Sequence, residues 1–156
     1  MTENLSANTD NSATEPNELV TTRVLNAAPA DVYVAWSKPE NLAQWWGPDG
    51  FTNTFHKFEF RPGGIWEFVM HGPNGVDYPN INEFIEIGPK QIVLWHLGAP
   101  HFQLTVSFED LGGKTRLTWS QLFEEAAVFK AIKNVAEPAN EQNLDRLEAC
   151  LKNMSV

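Results

Sequence analysis

Cysteine is nearly absent. Cys150 is the sole one in 156 residues, so no disulfide can form within the chain, and disulfide scaffolds of oxidising compartments are excluded. Positive charge is scarce as well: 11 Lys and Arg stand against 20 Asp and Glu, for a net charge of −9. That balance repels phosphate backbones and anionic lipid, which argues against nucleic-acid and membrane partners. No apolar run approaches the roughly 18 residues of a membrane-spanning helix. The N-terminus lacks the basic region and apolar core of a secretory signal, so the expected location is the cytoplasm. Catalytic signatures are missing too: there is no nucleophile elbow, Walker loop or Gly-x-Gly-x-x-Gly. His56, His71, His96 and His101 share no ligand spacing, so neither a metal nor a cofactor is expected. Cys150, near the end of a helical pattern, reads as a buried small hydrophobe rather than a nucleophile.

What is present is aromatic: 10 Phe and 6 Trp. They concentrate around Arg61-Pro62-Gly63-Gly64, where alternation on both sides predicts a hairpin with one buried face. A two-residue loop would set Phe60 against Ile65 and mix the faces. A three-residue loop, with Gly64 at positive φ, pairs Phe60 with Trp66 and Phe58 with Phe68, and keeps Met70 on the same side. We adopt the second. Such a face carries more aromatic volume than a small core packs tightly, which makes it the first candidate for a binding wall.

The polar residues 1–17 predict a disordered tail, and 18–154 a single domain. Order begins with a strand at Leu19–Leu25. Two short helices follow, one opening at Pro29 and one at Pro39, the second ending at Trp45-Trp46-Gly47-Pro48. Glycine- and proline-bearing turns then divide Phe51–Phe123 into six strands of an antiparallel meander. Gly112-Gly113 is read as a two-residue hairpin loop pairing Phe108 with Leu117 and Val106 with Trp119. The remainder is helical, in a short amphipathic piece, Glu124–Lys133, and a long helix from about Glu137 with Pro138 in its first turn. The long helix shows one apolar stripe containing Asn140, Asn143, Leu144 and Leu147. The fold class is therefore α+β, in the order β-α-α-β-β-β-β-β-β-α, with a sheet of about seven strands wrapped on one long helix.

Parity adds polar candidates. In Val76–Ile87 the odd positions Ile81, Ile85 and Ile87 are apolar, which turns that face inward and takes Glu83 with it. A four-residue loop at Gly88–Gln91 then pairs Ile85 with Leu94 and Glu83 with His96. Glu83 and His96 read either as a structural ion pair or as an acid–base or ligand-binding pair at the cavity rim. On the same reading Phe84 and Trp95 point outward, and the sharper expectation for them is a homodimer interface. The expected ligand-binding set is completed by Trp46 at the helix end, Val106 and Trp119 from the last hairpin, and Asn143 and Leu147 from the helix stripe.

The motifs Thr22-Arg23-Val24, Ala35-Trp36, Trp45-Trp46-Gly47-Pro48, Arg61-Pro62-Gly63-Gly64, Gly72-Pro73-Asn74-Gly75 and Asn143-Leu144-Asp145-Arg146-Leu147 occur in that order. In this the chain resembles the family of activators of heat-shock-protein-90 ATPase homologues, within the START-like (helix-grip) superfamily. The resemblance spans about Leu19 to Leu151. It implies a curved sheet gripping the C-terminal helix, with a cavity between them. Two positions depart from the family pattern: Asn140-Glu141 stands where relatives often have Gly-Trp, and Asn82 where a strand glycine is common. Both touch the implied cavity, so its ligand does not carry over from relatives. Three functions follow as expectations: binding of a small apolar or aromatic molecule, a co-chaperone type of protein contact, or a cavity enzyme using Glu83 and His96.

Overall fold

Strand β1 (Glu18–Leu25) ends at an Ala27-Ala28-Pro29 corner, and proline in the first turn starts both α1 (Pro29–Ser37) and α2 (Pro39–Trp45). Six strands follow: β2 (Thr52–Phe58), β3 (Ile65–His71), β4 (Asp77–Ile87), β5 (Gln91–His96), β6 (Phe102–Asp110) and β7 (Thr115–Phe123). The chain closes with α3 (Ala126–Met154). The computed structural model describes residues 16–154, so the expectation for the N-terminal tail falls, but for its last two residues, outside them. The strands form one sheet in the order β1-β7-β6-β5-β4-β3-β2, every neighbouring pair antiparallel. This is the expected helix-grip architecture.

The concave face and the helices share one core. Trp36, Trp45, Trp66, Phe68 and Phe84 are fully enclosed, and Leu144 and Leu147 of α3 pack against them. Burying each such side chain contributes roughly 1.5–3 kcal/mol. A smaller cluster of Leu19, Phe123 and Phe129 fastens the start of α3 to the far end of the sheet. Midway, Arg23 of β1 donates to Glu141, Asp145 and Glu148 at 2.6–2.7 Å. The last hairpin is as expected: Gly112 and Gly113 both have positive φ, Phe108 faces Leu117 and Val106 faces Trp119.

Three expectations are corrected. The opening hairpin keeps its inward face, but Phe58, not Phe60, pairs with Trp66, and Phe55 pairs with Phe68. The reason is a longer connection. The Glu59 carboxylate accepts from the Ile65 N–H at 2.9 Å, and Pro62-Gly63 form a tight turn closed by Gly64 N–H to the Arg61 carbonyl at 2.8 Å. Gly63, not Gly64, has the positive φ (+80°) that the second central position of such a turn requires. Gly64 is needed for space, since a Cβ there would sit 2.0 Å from the Glu59 carbonyl oxygen.

The second correction lies in β4. A bulge between Phe84 and Glu86 slips the ladder by one residue, so Phe84 faces Leu94, Glu83 faces Trp95 and Asn82 faces His96. Asn82 and Phe84 are buried at 2% and 0%, whereas Ile81 and Ile85 are exposed at 41% and 44%. Up to the bulge the odd face therefore looks outward, and Phe84 is core, stacked 6.0 Å from Trp66; beyond the bulge Ile87 turns inward as expected and packs against the core. The third concerns the C-terminal helices. They are one helix, with Pro138 inside it rather than at its start.

Candidate functional site

The sheet and α3 do not meet everywhere. Between β3–β7 on one side and the middle of α3 on the other lies a cleft of about 170 Å³, closed at one end by Trp46-Gly47-Pro48. Its walls are part aromatic, from Trp46, Phe68, Trp119 and Phe102, and part carboxamide, from Asn80, Asn82, Gln121 and Asn140. Two larger hollows, of about 240 and 340 Å³, lie near Asp31 and Lys152 and beside Trp95 and Leu122. Their polar side chains are mainly exposed. Of these three hollows, the sheet–helix cleft is the one that gathers several polar side chains that are themselves buried, which is the more informative sign of a site.

Those polar groups are held in place by one another. His96 Nδ1 and Asn82 Oδ1 are 2.9 Å apart, and the imidazole lies against the Phe102 ring with centroids 4.8 Å apart. Asn140 Nδ2 donates to Gln121 Oε1 at 2.7 Å, tying α3 to β7. Asn82, Gln121 and Asn140 each thereby commit one of their two polar ends. Asn82 Nδ2, Gln121 Nε2 and Asn140 Oδ1 have no partner among the described residues. Burial, aided by the nearby His101, pushes the His96 pKa below its ordinary value, so the ring is neutral at pH 7.

The Trp46 end is fastened from α3. Arg146 Nη1 donates to the carbonyls of Trp46, Gly47 and Pro48 at 3.2, 2.8 and 2.9 Å, and Nη2 to those of Gln44 and Phe51 at 2.8 and 2.9 Å. Burial lowers its pKa, with Asp49 opposing, and a guanidinium remains charged throughout. Asn143 adds a two-way contact, donating to the Trp45 carbonyl at 2.7 Å and accepting from the Gly47 N–H at 3.3 Å. The chain from Gln44 to Phe51 thus hangs on one face of α3.

Seven of the expected binding residues line the cleft: Trp46, Phe68, Met70, Leu94, His96, Trp119 and Asn143. Phe58, Phe60, Trp66, Val106 and Leu147 pack into the core instead, so much of the aromatic face is solid interior. Trp66 alone touches Trp46, Phe55, Phe58, Phe68 and Phe84 through ring contacts. Ile81, Glu83 and Ile85 are on the convex side, and Glu83 pairs with Trp95 rather than His96. The acid–base pair expected of Glu83 and His96 is not formed.

The sequence reading missed Asn80 and Gln121 as wall residues. Their signal was polar residues at period two in strands whose partners are otherwise apolar. It also missed a surface relay on the convex side of β2–β4, in which Thr54 Oγ1 is 2.7 Å from His71 Nε2 and His71 Nδ1 is 2.7 Å from Asp77 Oδ1. The three side chains are exposed or half-exposed and line none of the hollows described above.

Residues 26–152 match the sequence profile of the family described as activator of Hsp90 ATPase homolog 1-like protein. Among solved structures, a protein from Arthrobacter aurescens is similar at 24% identity with a TM-score of 0.82, covering 91% of this chain and 90% of its own. One from Nitrosomonas europaea shares 20% identity with a TM-score of 0.84, over 92% and 99% of the two chains. The AHSA1 protein from Silicibacter pomeroyi shares 19% identity with a TM-score of 0.72, over 88% and 99%. At these identities the likeness shows the fold. No curated protein matches the chain.

Proposed function

This chain belongs to the activator of Hsp90 ATPase homolog 1-like family, and from that premise we propose that it is a cytoplasmic small-molecule binding domain whose cleft between sheet and α3 takes a compact, partly aromatic ligand. One observation carries this reading. Buried carboxamides with unspent donors and acceptors converge on a cleft walled by aromatic rings. Among the described residues, Trp119 Nε1 is a cleft-lining donor that is buried without a partner, and leaving such an atom unpaired costs roughly 1–3 kcal/mol. A ligand that accepts from it removes that cost and replaces water at the free carboxamide ends. At about 170 Å³ the cleft is smaller than the roughly 300–1,000 Å³ of pockets for drug-sized molecules, so the ligand is small. The cytoplasmic assignment rests on composition, in particular the single, buried, unpaired Cys150. Among the described residues no helix is long and apolar enough to cross a membrane.

Native mass spectrometry of freshly purified protein tests the reading, together with tryptophan fluorescence titrations against a library of single-ring aromatics. One molecule should bind per chain, and Ala139→Trp, which fills the cleft from α3, should abolish binding. If nothing is retained and no library member binds, or if Ala139→Trp binds as well as the wild type, the reading is wrong.

A second reading, protein contact of the co-chaperone type or between two copies, is favoured by the convex face. Trp95, Ile81, Ile85 and Leu122 on strands of the sheet, and Leu97 just past β5, are each at least a third exposed, and large aromatics are common anchors of protein interfaces. Phe84, being core, takes no part. Analytical ultracentrifugation of wild type against Trp95→Lys decides the self-association arm. A monomeric wild type, or a variant that dimerises equally well, ends it.

A further inference from the structure

We propose that the cleft selects an uncharged planar group carrying a hydrogen-bond acceptor beside a donor, of the primary-amide or lactam kind, on a single aromatic ring. The inference rests on reading the cleft as a ligand site and names what that site recognises. It follows from which atoms the walls leave unspent. Asn82 commits its oxygen to His96, so it offers its NH₂. Gln121 commits its oxygen to Asn140, so it too offers NH₂. Asn140, having donated, offers an oxygen. With the unpartnered Trp119 Nε1–H, the Asn80 oxygen and Nε2 of the neutral His96 ring, both donors and acceptors therefore line one cleft from β4, β5, β7 and α3. An amide complements that set: its carbonyl accepts from the two NH₂ groups and its N–H donates to Asn140 Oδ1.

The walls also argue against charge. No Asp, Glu, Lys or Arg lines the cleft. The nearest guanidinium along α3, Arg146, is committed to five backbone carbonyls. A carboxylate would satisfy the two donors, but it would be desolvated without a cation and would face Asn140 Oδ1. An ammonium would satisfy the acceptors but oppose both NH₂ groups and the Trp119 N–H. The indoles make no open cage for a cation, since Trp46 is packed against Trp66, Trp119 and Trp36 with centroids 4.8, 5.5 and 5.6 Å away. Sites built to hydrogen-bond a substrate reject analogues that leave their polar groups unpaired, so discrimination should be steep.

The test is isothermal titration calorimetry at neutral pH with three probes of one shape: benzamide, benzoate and benzylammonium. Benzamide should bind wild type at least about ten-fold tighter than either ion, the scale expected from one mispaired hydrogen bond. Asn82→Asp should reverse the order in favour of benzylammonium. Asn140→Asp serves the same purpose if the first variant does not fold. Equal or tighter binding of benzoate or benzylammonium to wild type overturns the proposal and leaves the cleft a ligand site. Failure of all three probes also overturns it. In that case a molecule retained in native mass spectrometry and excluded by Ala139→Trp still upholds the ligand-site reading.

Discussion

Replacing Arg146 by Met keeps the side chain's apolar stem and removes every bond that fastens Gln44–Phe51 to α3 through that residue. Five carbonyls lose a charged donor. The Trp46 carbonyl keeps Asn53 Nδ2 at 2.9 Å and the Pro48 carbonyl keeps the Phe51 N–H at 3.2 Å, so three depend on water afterwards. A hydrogen bond to a charged group contributes roughly 1.5–3 kcal/mol singly, but water reaches this half-buried site and the bonds share one donor. A total of about 2–4 kcal/mol is the reasonable scale, at the upper end of what one substitution does. Urea unfolding at 25 °C reads it directly: with m of roughly 1–3 kcal/mol/M, the midpoint should fall by about 1–3 M. Arg146→Lys separates charge from shape, since one ammonium cannot reach five carbonyls that a planar fork spans, and it should recover less than half of the loss. Tryptophan emission should shift red in both variants as Trp46 loosens. A loss below about 1 kcal/mol for Arg146→Met, or a lysine variant as stable as wild type, would refute the clamp.

Three further outcomes are expected. Gly63→Ala should cost about 1–2 kcal/mol for its left-handed backbone in open space, and Gly64→Ala clearly more because its Cβ meets the Glu59 carbonyl; equal urea midpoints would contradict this assignment. Because burial depresses the His96 pKa, the unfolded chain takes up the proton first. Stability present above about pH 6.5 is then lost as pH falls toward the lower folded value, and His96→Gln should flatten that part of the urea-midpoint profile between about pH 8 and pH 5. Pro138→Ala, at an exposed position inside α3, should raise stability by about 1–3 kcal/mol by restoring the N–H that proline lacks, and an unchanged or lowered midpoint would show that the helix is shaped around the proline.

What the sequence made legible was whatever obeys local rules. Gly112-Gly113 set the last hairpin's register because two consecutive positive-φ residues leave one turn geometry. Proline at Pro29 and Pro39 marked both short helices. Two bulges, between Phe55 and Lys57 and between Phe84 and Glu86, leave no trace in alternation, and each shifts every pairing beyond it. β4 failed for a more informative reason. Parity assumes that the inward face is the apolar one, yet here Asn80 and Asn82 face the cleft while Ile81 and Ile85 face out. The rule inverts where the sheet stops making core and starts making a site. Pro138 misled in the opposite way, since packing at both ends of α3, through Phe129 and through Leu144 and Leu147, holds one helix across a residue that prefers to begin one.

Asn143 belongs to two structures at once. It forms part of the cleft wall, and both ends of its carboxamide are committed to the backbone at Trp45 and Gly47. The site and its clasp are therefore not independent modules. Whatever an occupant gains by steadying that wall is returned as resistance of the Trp46 segment to opening, and a loosened segment must tax affinity by the same free energy. Selection acting on either quantity moves the other, so the affinity of this domain and the heat it tolerates should have drifted together among its relatives.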